Sequence, residues 1–575
     1  MDKRTFWVMF GSFVAFALFY TLLPPPNPTK PPGMEEPPGH SAALVNPGTP
    51  TTGAKTGAVS GAAPQAGGAK AQLITIQTRL YTAQVSTQGG RLVGLQLSQY
   101  NHGRPVLEWP HLFSGNRPPE DSTPMEMVKH ELPQADMLGV AFAGNPGLTS
   151  QAAAVVYSAR TGEAPAPTTL QVGDSPRTLT LTGRTSDGVI LQKTITFYPD
   201  NYIVDFRLLV HNNGKAQQPL QAEISFGEGP RPFAQHGAMF QSGWYGAVYQ
   251  TGGKVKDERP KDLEEPLLIQ NPDWVGYSDN YFLSAFRPEG PVAQAFVRGV
   301  PVHRPEKDNE VELVGYQGVT LPPVDLAPGH QFVSPFRLYM GPKDTFEMRK
   351  FGHTLENALD FSTDFLGLNF LSHLLLAVMR WFNGFTGNYG LAIIMLTLLV
   401  RFVLFPVTYK GMLSMKRLQK FQPKMKALQE RYKNDRERLG KEMMEFYKKH
   451  KVNPVSGCLP LLLQFPIFFS LYTALLYSIE LRHAPFFGWI EDLSSRDGLY
   501  ILPVIMGVTM VLQQRMSPPP ADPVQAKMFK WLPVVFAFMM ANFPAGLVLY
   551  WSVSNTLSIA QQYVINRAHI AEPAD

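Results

Sequence analysis

The stretch YGLAIIMLTLLVRFVLFPV, residues 389–407, decides how the rest of the chain is read. At a rise of about 1.5 Å per residue, a helix of this length spans nearly the roughly 30 Å hydrocarbon core of a bilayer. One residue interrupts it. Arg401 sits among Leu398, Leu399, Val400, Phe402, Val403 and Leu404. A charge near the bilayer centre costs about 2.5–3.5 kcal/mol on insertion scales, so such residues face a cavity or a partner inside a helical bundle. Snorkelling is the competing reading, because the cytoplasmic end is about six residues away. The surrounding sequence favours the cavity.

Working outward, four more apolar stretches follow at about 457–479, 499–515, 528–541 and 546–565, against 388–408 for the first. The apolar part of the fourth is short, which implies tilt or local thinning of the bilayer. No Asp or Glu lies inside any of them, since Glu480 stands at an end. Arg401 therefore has no fixed acidic partner in the membrane. Uncharged polar residues are plentiful instead: Thr397, Gln464, Ser470, Tyr472, Thr473, Thr509, Gln513, Ser552, Ser554, Asn555, Thr556, Gln561 and Gln562. Some serve as glue between helices. A set this large is also expected to line a wet groove around Arg401. At an effective dielectric near 20, a unit charge pair at about 4 Å is worth about 4 kcal/mol. That is comparable to the cost of burying the arginine, so an acidic guest would be held without being trapped.

The remainder of the chain reads differently. Mean hydropathy of −0.10 and 17% charged residues describe neither half, because they average a soluble region with an apolar one. Residues 6–23 are apolar after Lys3 and Arg4 and read as an uncleaved anchor (1–23) rather than a cleaved signal peptide. Residues 24–70, rich in Pro, Gly and Ala, read as a disordered linker. Alternation at Leu179-Thr180-Leu181-Thr182, the Asp187-Gly188 turn signal and Ile195-Thr196-Phe197 mark strands. Residues 71–344 are expected to form one large antiparallel β-sandwich. Residues 345–386 turn helical and are expected to lie in the membrane interface. The fold class is thus a polytopic α-helical membrane protein of six spans with a large β-sandwich domain.

Charge sets the orientation. Between Lys410 and Lys451 stand 14 Lys/Arg against 5 Asp/Glu, a local excess of +9 in a chain of net +5. The positive-inside rule places this segment and both termini in the cytoplasm, and the β domain across the membrane. Leu418, Phe421, Met425, Leu428 and Tyr432, then Leu439, Met443 and Phe446, predict an amphipathic helical hairpin over 411–453, with Pro423 starting or kinking its first helix. Two readings stand. The hairpin touches anionic lipid and only sets topology, or it docks a ribosome, a targeting factor or an incoming chain.

The sequence carries no HExxH, GxSxG, P-loop or intramembrane carboxylate pair, so no enzyme, metal site or cofactor is expected. His373 and His483 read as interfacial. A single cysteine, Cys458, excludes an intrachain disulfide framework. An ion-coupled transporter would bring intramembrane carboxylates and repeated halves. A sugar enzyme would bring a carboxylate pair and leave the polar spans without purpose.

Particular motifs resemble the YidC/Oxa/Alb membrane-insertase family, within it the YidC branch of Gram-negative bacteria. They are Gly387-Asn388-Tyr389-Gly390, Thr397 with Arg401, Val452-Asn453-Pro454 before Gly457-Cys458, and Gln464-x-Pro466-Ile467-Phe468. Further on come Ile501-Leu502-Pro503, Met506-Gly507-Val508-Thr509-Met510 and Phe543-Pro544-x-Gly546-Leu547-Val548-Leu549-Tyr550. The resemblance implies a five-helix insertase core over 387–567 and a hydrophilic groove centred on Arg401. Thr397, Gln464, Pro466 and Tyr550 match family groove positions, with Trp551, Ser552 and Asn555 beside them. Close relatives can carry a tyrosine where Trp551 stands, so any role of that hydroxyl is lost here. Implied guests are nascent membrane proteins, with the Sec translocon as a companion, membrane lipid as surroundings and no DNA partner. The tail 568–575 is short and weakly basic, so strong tail-mediated ribosome binding is not expected.

Overall fold

The computed structural model describes residues 70–567 apart from 104–105, 115–118, 120, 129–135, 229–244, 260–262, 264, 305–309, 360–367, 433–434, 451–458 and 517–522. The expected anchor 1–23, most of the linker, the tail 568–575, and the Val452-Asn453-Pro454 and Gly457-Cys458 motifs lie outside the described residues.

β-Branched and aromatic residues with period-two burial build the first half. Strand Val189–Phe197 alternates buried and half-buried positions along its whole length, as a strand with one face on a core must. It pairs with Arg177–Arg184, joined by a turn in which Gly188 takes φ +83°. These two belong to a ten-stranded sheet. Five-stranded sheets complete the domain with a two-stranded ribbon. The sheets pack face to face through aromatic rings. Phe226, on a five-stranded sheet, stacks on Phe286 of the ten-stranded sheet at 4.3 Å and meets Phe206 and Phe336 from the same sheet. Among the described residues the pairing departs from the all-antiparallel expectation at one place. Leu73–Gln77 runs parallel to Thr169–Gln171, which no local turn signal could have announced, because nearly a hundred residues separate them.

Two short helices, α1 (Trp109–Ser114) and α2 (Pro146–Ala154), interrupt the strands. Helix α3 (Thr345–Phe351), capped by the Asp344 carboxylate, leads out of the sheets. Then come α4 (Leu368–Thr386), α5 (Tyr389–Lys420), α6 (Gln422–Arg431), α7 (Arg436–Lys449), α8 (Leu459–Tyr477), α9 (Ile501–Met516), α10 (Pro523–Met540) and α11 (Ala545–Arg567).

The Gly-Asn-Tyr-Gly motif acquires a physical explanation at the α4–α5 junction. Gly387, at φ +63°, ends α4 in the left-handed conformation that glycine adopts without strain. Asn388 caps α5 by accepting from the Leu391 amide at 3.1 Å. At Gly390 a Cβ would lie 2.0 Å from the Phe486 ring, so only glycine lets the 480–498 loop close onto the start of α5.

Helix α5 continues to Lys420, so Leu418 belongs to it and not to the first hairpin helix. The break falls at Phe421, just before Pro423 occupies the first turn of α6. The hairpin α6–α7 closes on a ring cluster in which His450 lies 4.4 Å from both Phe421 and Phe446.

The helical bundle is apolar on its outside and holds a polar minority within an apolar core. Its interior holds Thr397, Ser470, Thr473, Ser552, Ser554, Asn555 and Ser558 together with Ile393, Leu471, Met506 and Leu547. Its outside presents Phe402, Val403, Val504, Val508, Val534 and Phe538. A water-soluble protein rarely exposes so much contiguous apolar surface. Among the described residues, Tyr389–Ser414 alone is long and apolar enough to cross a membrane by length and hydropathy, with Gln464–Tyr477, Ile501–Met516 and Met528–Met540 as shorter apolar helices.

Candidate substrate groove in the helical bundle

Arg401 and Thr397 share one face of α5, a turn apart. The guanidinium points at α11. Its Nε donates to the Ser554 hydroxyl at 3.1 Å and its Nη2 to the Ser554 carbonyl at 2.9 Å. The Ser558 hydroxyl donates to that same carbonyl at 3.0 Å. Tyr550, Ser554 and Ser558 stand at successive i, i+4 positions and form the stripe that α11 turns toward α5. Ser554 is the contact that sequence reasoning missed as a site residue. The four-residue spacing from Tyr550 was the available signal, while Ser552 and Asn555 lie off that stripe.

Gln464 on α8 donates its side-chain amide to the Tyr550 hydroxyl, and Tyr550 is itself buried. Asn555 faces α9 instead, donating to the Thr509 hydroxyl at 3.4 Å. Thr397 and Ser552 are also buried, with hydroxyls returned to their own helices at the Ile393 and Val548 carbonyls. Trp551 turns away from the polar stripe and packs its indole against Phe468 at 4.9 Å and Phe536 at 4.8 Å. Pro466 lies within α8. The eight expected residues therefore do not form one surface. Arg401, Gln464 and Tyr550 gather between α5, α8 and α11, with Arg401 and Gln464 partly exposed. Thr397 supports the same face from below, Asn555 and Ser552 face elsewhere, and Trp551 is an apolar wedge.

The electrostatics of the cluster follow from its members. Among the described residues Arg401 has no carboxylate partner; both oxygens holding it are neutral. The site can orient a guanidinium and leave its charge uncompensated.

Residues 73–377 match the family described as YidC periplasmic domain, and residues 381–572 the family described as 60Kd inner membrane protein. The chain is 38% identical over 585 residues to the membrane protein insertase YidC of Geobacter metallireducens, covering 100% of both chains.

The chain belongs to the YidC family.

A second relative, the membrane protein insertase YidC of Syntrophus aciditrophicus, is 35% identical over 582 residues, covering 99% of this chain and 100% of that one. Among solved structures, an active YidC insertase with its first transmembrane domain resolved matches with a TM-score of 0.36 at 18% identity, over 86% of this chain and 93% of that one. As a YidC-family chain it thus joins a β-rich periplasmic domain to an inner-membrane helical region.

Proposed function

We propose that this chain inserts membrane proteins into the bacterial inner membrane through a polar groove centred on Arg401, alone or beside the Sec translocon. One observation carries the reading: among the described residues, the guanidinium between α5 and α11 is held by neutral oxygens of Ser554 alone. A charge oriented but uncompensated, inside an apolar shell, attracts polar or acidic flanks of a passing chain. The guest's hydrophilic flank enters beside Arg401 and Gln464, while its apolar segment leaves along the outward residues of α5 and α9 into lipid. Six spans, both termini in the cytoplasm, α4 in the outer interface and the basic hairpin in the cytoplasm complete the arrangement. The work is binding and release, with no covalent step.

Site-specific photocrosslinking from Gln464, Thr397 and Tyr550 to a nascent membrane protein tests it. Crosslinks are expected from Gln464 first, and from Thr397 and Tyr550 only when the helices part, because both are buried in the closed arrangement. Absence of crosslinks from all three during active insertion, with crosslinks from outer positions intact, would sink the groove reading.

A further inference from the structure

The helical region and the β domain meet around the loop before α9, and the β domain contributes a feature that the insertion reading does not use. Residues leading into α1 clamp onto this loop. Glu108 pairs with Arg496. The Trp109 indole Nε1 donates to the Leu499 carbonyl at 3.0 Å. A Cβ at Gly498 would lie 2.2 Å from the Leu107 carbonyl, so the two backbones touch. Helix α1 is therefore fixed at the outer end of α9 by a charge pair, a hydrogen bond and a glycine contact.

Having spent its one polar atom on Leu499, Trp109 turns the rest of its ring outward. It is 44% exposed, and Phe113, stacked on it with centroids 6.0 Å apart, is 84% exposed. The helix itself, WPHLFS, carries no Lys, Arg, Asp or Glu. Beside it, Tyr500 just before α9 and then Val504, Val508 and Leu512 along the helix follow at four-residue intervals, and all four are exposed. The rings of α1 stand next to the start of that stripe, because Trp109 bonds to the residue before Tyr500 and Arg496 holds both Glu108 and the Tyr500 hydroxyl. Aromatic rings with one satisfied polar atom suit the boundary between acyl chains and headgroups.

We propose that α1 of the β domain is seated in the periplasmic leaflet beside α9, with Phe113 and Trp109 packed against phospholipid at the acyl–headgroup boundary. The β domain is then a lipid-contacting body anchored at a defined depth, not a tethered one. This rests on reading α9 as a membrane span.

The test uses the full chain with Cys458→Ser, reconstituted in phosphatidylethanolamine/phosphatidylglycerol vesicles. An environment-sensitive nitrobenzoxadiazole label is placed at Phe113→Cys, at Val504→Cys on the α9 stripe, or at Glu163→Cys on the far edge of the ten-stranded sheet. Doxyl lipids labelled near the headgroup are expected to quench 113, deeper doxyl lipids to quench 504, and neither to quench 163. A quenched 504 with an unquenched 113 overturns the α1 proposal and leaves the span standing. If 504 is unquenched as well, both fall. Protection of 113 from doxyl lipid and aqueous iodide together means that a protein surface covers it, which also overturns the lipid assignment. Ser114→Cys repeats the measurement one position along, should labelling at 113 disturb the helix.

Discussion

Arg401 exchanges part of its hydration shell for two oxygens of a single residue, one hydroxyl and one carbonyl, and retains its charge. Arg401→Ala removes both the charge and the fork. Insertion in reconstituted vesicles is expected to fall at least tenfold, since losing about 1.4 kcal/mol of guest attraction is a factor of ten. Arg401→Lys keeps the charge and loses one of the two contacts, so it is expected to retain most activity. Equal loss in both variants would assign the function to guanidinium geometry and not to charge. A second buried cation lies in the β domain. Lys193, fully buried, donates to the carbonyls of Gly89, Gly90 and Leu138 at 2.6–3.0 Å. Burial, with a smaller contribution from Arg91, pushes its ammonium from 10.5 down to about 7. Between these values the unfolded chain binds the extra proton, so this residue makes stability rise with pH from about 7 toward 10. Lys193→Ala leaves three carbonyls unpaired beside a cavity and is expected to cost about 3 kcal/mol or more. Urea unfolding across that pH range should lose the Lys193 component of the slope in the variant.

At the scale of elements, helix ends do most of the positioning. The Asp497 carboxylate accepts from the Leu499 and Leu502 amides at 3.0 and 2.7 Å, placing negative charge at the start of α9. The Ser495 and Leu493 carbonyls take the Ala545 and Gly546 amides at 2.7 and 2.9 Å, so one loop holds the starts of both α9 and α11. Lys416 on α5 donates to the Ile565 carbonyl at 2.9 Å, a cation at the last turn of α11. Gly390→Val would drive a side chain into Phe486 at the start of α5. We expect it to lower stability by about 1–3 kcal/mol, as overpacking does, and to increase protease cleavage in the 480–498 loop. The apolar periods of α5, α9 and α11 were legible as stretches, and Pro423 as a helix start. The length of α5 was not, because its last dozen residues mix four basic side chains (Lys410, Lys416, Arg417 and Lys420) with apolar and polar ones and only their continuity with the preceding turns keeps them helical.

At the scale of the whole molecule, the β domain is joined to the helices through a buried polar seam. Arg482 donates to the Asn101 carbonyl at 2.7 Å and lies over the Tyr281 and Phe282 rings. Arg380 of α4 pairs with Glu480, and burial raises that carboxyl above its ordinary range despite the arginine. Lys343 donates to the Asp279 carbonyl at 3.2 Å and faces the Tyr477 ring. Burial raises the Asp279 carboxyl to about 6 and lowers the Lys343 ammonium to about 8. Gly103, at φ +83°, sits against His483, where a Cβ would meet the ring at 2.1 Å. Gly103→Val is expected to pry this seam open while leaving both halves folded. Limited proteolysis should then separate the β domain from the bundle faster than in the parent chain, with unchanged secondary structure by circular dichroism. An unchanged cleavage rate would mean that other contacts carry the seam.

By itself the amino-acid sequence determined the division of this protein into a strand-rich half and an apolar half, the place of the basic hairpin, and Arg401 as the charge needing an explanation. Those properties are periodic or compositional, so they survive in one dimension. Tertiary structure alone decided that Ser554 is what Arg401 holds, that Trp551 and Asn555 face other neighbours, that a strand near residue 75 pairs with one near 170, that Glu480 pairs with Arg380 of α4, and that Arg482 reaches the β domain. Each of these is a contact between residues far apart in the chain, set by which helix faces and sheet edges meet when apolar surface is buried, and no local pattern encodes that choice.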